Sequence, residues 1–183
     1  MPVQIGVYAA GFTEPTALLS DCHRRIEMFM NVLQQVAMAA DRPLADDARN
    51  SVETALRYFR EAAPKHTADE EESLFPRLRL LEDSKVALLL RRLEPLEEDH
   101  RRATLLHTRV EMLGERWLVL GSLATDESEE FRMLVGELAS MYGRHIEVED
   151  SVVFPIAARL LSSEEKTAIG IEMAGRRNVR TSA

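Results

Sequence analysis

The sequence predicts an all-α fold: an antiparallel up-down-up-down four-helix bundle with a short extra C-terminal helix. Three observations predict it. Apolar residues recur at helical spacing through four long segments separated by short breaks. One phrase is written twice, His66-Thr-Ala-Asp-Glu70-Glu71-Glu-Ser-Leu-Phe75-Pro76 and His145-Ile-Glu-Val-Glu149-Asp150-Ser-Val-Val-Phe154-Pro155. His23 precedes His66 by 43 residues much as His100 precedes His145 by 45, which reads as two helical hairpins packed about a pseudo-twofold.

The first segment runs from about Pro15 to Ala40, with Leu19, His23, Ile26, Met30, Leu33 and Ala37 on one stripe, and Arg42-Pro43 breaks it. The second begins near Asp46, carries Val52, Leu56, Phe59, Ala63, His66 and Glu70, and ends near Leu81; Pro64 should kink it just before the histidine. The third starts near Ser84 and aligns Leu89, Leu93, Leu96, His100, Ala103, His107, Val110 and Trp117 up to Gly121, with Pro95 as a second kink. The fourth opens at Asp126, with Glu129 completing a capping box, and aligns Phe131, Val135, Leu138, Tyr142, His145, Glu149 and Val152. Ser162 and Glu165 cap a short final helix reaching Arg176, whose apolar stripe of Ile169, Met173 and Ala174 suits covering the bundle or a second subunit.

Composition bounds the rest. With 183 residues, 45% hydrophobic and 30% charged, the chain is long enough for one domain with a substantial core, the bundle over about 15–160 and a C-terminal capping segment over about 162–183. A formal net charge of -8 argues against nucleic acid or an anionic membrane surface as partner. The one dense basic stretch, Arg176-Arg177-Asn-Val-Arg180, reads as a solvated end. A lone cysteine, Cys22, excludes an intramolecular disulfide and fits a reducing compartment. Met1 to Phe12 lacks the features of a signal peptide, and no apolar run approaches the roughly 20 residues of a membrane span, so the cytoplasm is expected.

Each copy of the phrase sets a His and a Glu four residues apart, on one helix face. Counted from the breaks, His23, His66, His100 and His145 fall at matched offsets, which in an up-down bundle places all four imidazoles at one level. A lone His on an apolar stripe is ordinarily a hydrogen-bonded core residue, and a Glu beside it can be its partner. Four inward His and two inward Glu at one level are costly to bury unless a cation neutralises and coordinates them. Imidazole and carboxylate donors suit iron, manganese or zinc, and the absence of an inward Cys argues against a thiolate zinc or iron–sulfur site. Here His precedes Glu by four, unlike the Glu-x-x-His pairs of ferritin-like di-iron bundles.

These residues carry a resemblance. His23 in Cys-His-Arg-Arg-Ile-Glu, the two His-x3-Glu-acid-x3-Phe-Pro phrases and His100 in Glu-Glu-Asp-His together resemble bacterial members of the hemerythrin-like, or HHE cation-binding, family over about residues 15–160. The resemblance implies an antiparallel four-helix bundle holding a non-haem iron site, usually of two irons, with Glu70 and Glu149 as bridges and His23, His66, His100 and His145 as terminal ligands. The oxygen-carrying hemerythrins have a fifth His where this chain has Thr104, and bacterial relatives often have a second His where it has Thr67. The site is therefore leaner or recruits other groups. Glu27, four after His23, reaches either a metal or Arg24 and Arg101. His107 lies about 10 Å along the helix from His100 and reads as an outer residue or gate, with a core histidine as the equal alternative. Asp150 is an alternative bridge, because oxygen carriers put the last acid five after its His, while Glu71, Glu72 and Glu147 read as solvated.

A two-iron centre walled by Phe59, Phe75, Leu96, Val152 and Phe154 would admit diatomic ligands and exclude bulkier ones. The expected function is binding of, or reaction with, dioxygen, nitric oxide or peroxide in sensing or stress handling. The alternatives are iron buffering and a regulatory or structural module whose metal completes the core. Enzymatic turnover is not the first expectation; where present, it would be peroxide decomposition at the metal. With no receiver or DNA-binding element attached, a signal would need a separate protein partner, and a homodimer is the other candidate.

Overall fold

The computed structural model describes residues 11–81 and 86–179. All regular structure among them is helical: α1 (Pro15–Ala37), α2 (Asp46–Glu61), α3 (Ala63–Ala68), α4 (Phe75–Arg79), α5 (Ala87–Leu120), α6 (Thr125–Val148), α7 (Phe154–Leu160) and α8 (Ser163–Arg176). Two π-helical turns, Asp69–Leu74 and Glu149–Val153, join α3 to α4 and α6 to α7. The chain thus forms four long helical runs and a shorter fifth. None of the described helices is long and apolar enough to cross a membrane.

Local chemistry sets most of the ends. Pro15 opens α1, where its missing N–H costs nothing. Asp46 and Asp47 occupy the first turn of α2, against the positive end of its dipole. Gly121 ends α5 at φ +79°, a left-handed cap that suits a residue without Cβ. Ser162 and Glu165 form the predicted capping box of α8: the Glu165 N–H donates to Ser162 Oγ at 3.2 Å and the Ser162 N–H to the Glu165 carboxylate at 2.8 Å. The Asp126–Glu129 box does not form. The cap of α6 is Ala124, whose N–H donates to Glu127 at 3.3 Å, so the helix begins at Thr125. Helix α1 stops at Ala37, three residues short of expectation, and the predicted start of the third run at Ser84 lies outside the described residues. The second run breaks at Ala62, just before Pro64, whereas α5 continues through Pro95.

The two π-turns share one cause. Pro76 and Pro155 have no N–H for the carbonyl four residues back, and their rings crowd it. The turn before each widens, and the N–H of the preceding Phe, Phe75 or Phe154, donates instead to the carbonyl five back, that of Glu70 or Glu149. The extra residue shifts the phase of the helix beyond each turn. Val153, rather than the expected Val152, is buried on the inward stripe.

Helix α1 packs on α2 and α6, and α5 on α2 and α6, closing a four-membered bundle. Its interior is two apolar clusters. One gathers Ile26, Met30, Leu33, Leu56, Phe59, Leu113, Trp117, Phe131 and Leu138. The other gathers Leu18, Leu19, Phe75, Leu78, Leu93, Phe154, Ile169 and Met173, so α8 is docked over this end. His23, His66, Glu70, His100, His145 and Glu149, all buried, belong to neither cluster.

Candidate metal centre

Each of the four long runs contributes one imidazole: His23 from α1, His66 from α3, His100 from α5 and His145 from α6. Each π-turn contributes one carboxylate at its start, Glu70 or Glu149, one turn after the histidine of its own phrase. The six side chains meet. His66 Nε2 lies 3.2 Å from Glu70 Oε1, His100 Nε2 lies 3.3 Å from Glu70 Oε2, and His23 and His145 Nε2 lie 3.1 and 3.2 Å from Glu149 Oε2. His100 and His145 approach Nε2 to Nε2 at 3.1 Å, and the His23 and His66 rings sit edge to face at 4.9 Å.

Two overlapping quartets of donor atoms result, His23, His66, Glu70 and Glu149 in one, and Glu70, His100, His145 and Glu149 in the other. Within each, all atoms lie within 4.8 Å of one another. Both carboxylates belong to both quartets.

The outer ring nitrogens carry a further pattern. His23 Nδ1 faces Asp150 at 2.9 Å, His100 Nδ1 faces Glu71 at 2.8 Å, and His145 Nδ1 faces Asp99 at 3.4 Å. A carboxylate there favours Nδ1–H and leaves the Nε2 lone pair turned inward. The second acid of each repeated phrase therefore crosses to an imidazole on another helix. This corrects two expectations: Glu71 is not simply solvated, and Asp150 is directed at the outer nitrogen of His23, where Ser20 Oγ at 2.8 Å and Arg24 also hold it. His66 Nδ1 is buried with no hydrogen-bond partner among the described residues.

Glu27 is in neither quartet. It lies on the surface, paired with Arg24 at 3.1 Å. His107 also lies outside both quartets: its Nε2 meets the Tyr142 hydroxyl at 2.9 Å and its ring stacks on Phe59 at 4.5 Å. Burial pushes the His107 pKa down to about 4. Of the expected walls, Phe154 stacks on His23 at 5.2 Å and Phe75 on His100 at 6.5 Å. The basic end is not solvated. Arg176 and Arg177 both pair with the fully buried Asp69, while Arg180 lies outside the described residues.

The electrostatics show strong mutual charge stabilisation. Burial opposes a proton on His23, but Asp150, Glu149 and Glu70 outweigh it and carry the pKa up to about 11. His100 rises to about 9, with Glu70, Glu149 and Glu71 overcoming burial, and His145 is raised against burial by Glu149 and Glu70. His66, without an outer carboxylate, is driven down to about 4 by burial. Burial would raise the Glu70 pKa, yet His66, His100 and His23 hold it well below the usual carboxylate range.

All four carboxylate oxygens of Glu70 and Glu149, and His23 Nε2, are buried without a geometrically sound hydrogen bond among the described residues. Stranding such groups costs several kcal/mol unless a cation engages them. The donor set fits that role: imidazole nitrogens and carboxylate oxygens converge, and the buried Cys22 stands apart, its Sγ accepting from Arg25 at 3.1 Å. A small void of about 10 Å³ lies among the imidazoles, bounded also by Ala63, Thr67 and Tyr142. These three residues and His100 also line a cleft of about 290 Å³ that includes Phe59, Thr104 and His107.

Comparisons with known proteins agree with this geometry. The family model for the hemerythrin HHE cation binding domain matches residues 14–157. An uncharacterised protein of Haemophilus influenzae is 29% identical over 178 residues, covering 93% of this chain and 94% of the relative. No solved structure matches. With a buried layer of imidazoles and shared carboxylates inside a helical bundle, and a family match spanning most of its length, this chain belongs to the hemerythrin HHE cation-binding domain family.

Proposed function

We propose that the chain is a non-haem iron protein whose four long runs pass up, down, up and down, and whose two irons share Glu70 and Glu149. His23 and His66 would hold one and His100 and His145 the other; manganese or zinc suits the same donors. The observation that carries this reading is the pair of quartets with both buried carboxylates in common. When bound, such a pair of irons supplies one-electron and two-electron redox chemistry and open positions for small ligands.

The chain's own residues shape what reaches it. Asp150, Glu71 and Asp99 orient three imidazoles from outside, and Phe75 and Phe154 cover His100 and His23 and exclude water. The cleft beside Thr67 and Thr104 would offer the approach for a small ligand such as dioxygen, nitric oxide or peroxide. Tyr142 and His107, bonded to each other on the cleft wall, stand where an entering ligand would pass. Sensing or stress handling in a reducing cytoplasm is the role this reading supports. Iron-loaded protein kept under nitrogen and then given dioxygen, nitric oxide or peroxide should change its near-ultraviolet and visible absorption. An unchanged spectrum with all three would overturn the reading in favour of a structural ion.

A further inference from the structure

Asp69 immediately precedes Glu70 in the first π-turn, and its side chain is fully buried. Two guanidinium groups from the end of α8 take both of its oxygens. Arg176 Nη1 donates to Oδ1 at 3.0 Å and Arg177 Nη2 to Oδ2 at 2.6 Å. Arg176 grips the turn twice more, at Ser73 Oγ (2.9 Å) and Glu72 (3.0 Å), while Arg177 is fixed to its own helix through the Met173 carbonyl at 2.9 Å. The second π-turn is anchored differently, with Asp150 held by Ser20, His23 and Arg24 of α1. The family match ends at residue 157, so the clamp on the first turn comes from a helix outside the matched domain.

A π-turn is a locally unfavourable arrangement that persists where its surroundings hold it. Pro76 bars a regular α turn here, so the surroundings decide how the widened turn is seated, and a shift of Asp69 carries the adjoining Glu70 with it. Glu70 belongs to both donor quartets, so a shift at this turn disturbs both. We infer that Arg176 and Arg177 are positioning residues: by clamping Asp69 they fix the π-turn that presents Glu70, so that α8 sets the cation affinity of the whole centre. This rests on the reading of Glu70 as a shared metal ligand.

The test is zinc binding by the full chain, measured by competition with a chromophoric chelator, alongside helix content and melting by circular dichroism. The R176Q/R177Q double variant is expected to retain its helix content and to bind zinc roughly 10- to 100-fold more weakly. The R176K/R177K variant should recover only part of the loss, because an ammonium lacks the planar fork. Arg109→Gln removes the ion pair to Glu130 at 2.6 Å, away from the π-turn, and should leave the zinc affinity unchanged. Should the double variant unfold, Arg177→Gln alone must still show weaker binding in folded protein. Wild-type affinity in either folded arginine variant would overturn the clamp. Failure of the wild type to bind any cation would instead overturn the metal-site reading, and the clamp's role with it.

Discussion

Loading the centre with zinc at pH 7 should expel about two to three protons per chain, because an imidazole must give up its Nε2 proton before it can bind a cation. In the metal-free protein His23 keeps its proton up to about pH 11 and His100 up to about pH 9, and His145 is raised as well. His66, lowered to about 4, is already neutral and releases nothing. The apparent binding constant should therefore rise about a hundred- to thousandfold per pH unit just above pH 7, and less steeply above about pH 9 as His100 loses its proton unaided. Calorimetry in two buffers of different ionisation heat counts the released protons, and His100→Gln should lower the count by about one. The same shifts fix the sign of the metal-free protein's own pH dependence. A raised histidine contributes stability that is fully present below pH 6.5 and lost as pH climbs through its folded pKa. For His100, moved from 6.5 to about 9, that contribution is on the order of 3 kcal/mol. Zinc binding that releases less than half a proton, or a count indifferent to His100→Gln, would refute the reasoning.

Two further outcomes rest on particular contacts. Asp150→Asn replaces the carboxylate on His23 Nδ1 with a neutral amide, and should weaken zinc binding about 10- to 100-fold in a chelator competition while leaving helix content intact. Gly170→Ala would place a Cβ 1.9 Å from the Phe12 carbonyl oxygen, so the segment before α1 must move away from α8. A loss of about 1–3 kcal/mol is expected, seen as a fall of several degrees in melting temperature.

Periodicity placed the inward stripes well because an α-helix maps spacing onto a face. Leu19, His23, Ile26, Met30, Leu33 and Ala37 are all buried, as are Val52, Leu56, Phe59, Ala63, His66 and Glu70. The matched offsets of the histidines anticipated their convergence from four helical runs for the same reason. What went unread depends on the breakdown of that period. The repeated Phe-Pro pair carried the signal for the π-turns, since a proline without an N–H must disturb the turn before it, and missing this put Val152 where Val153 belongs. The roles of Glu71 and Asp150 were marked by their recurrence at one offset in both phrases, but which imidazole each meets is an interhelical fact. Asp99 and the Asp69–Arg176–Arg177 clamp had no local signal at all: an acid beside a histidine and a basic tail are ordinary surface patterns until packing brings a partner to them.

The most direct test of a centre built on two shared carboxylates is the number of metal ions per chain, by elemental analysis of protein purified without added metal or chelator and then saturated with ferrous iron under nitrogen. About two per chain, with both lost in Glu70→Gln, is the predicted result, since that side chain serves both quartets. No retained iron in the folded wild-type protein, or a single ion indifferent to Glu70→Gln, would contradict it.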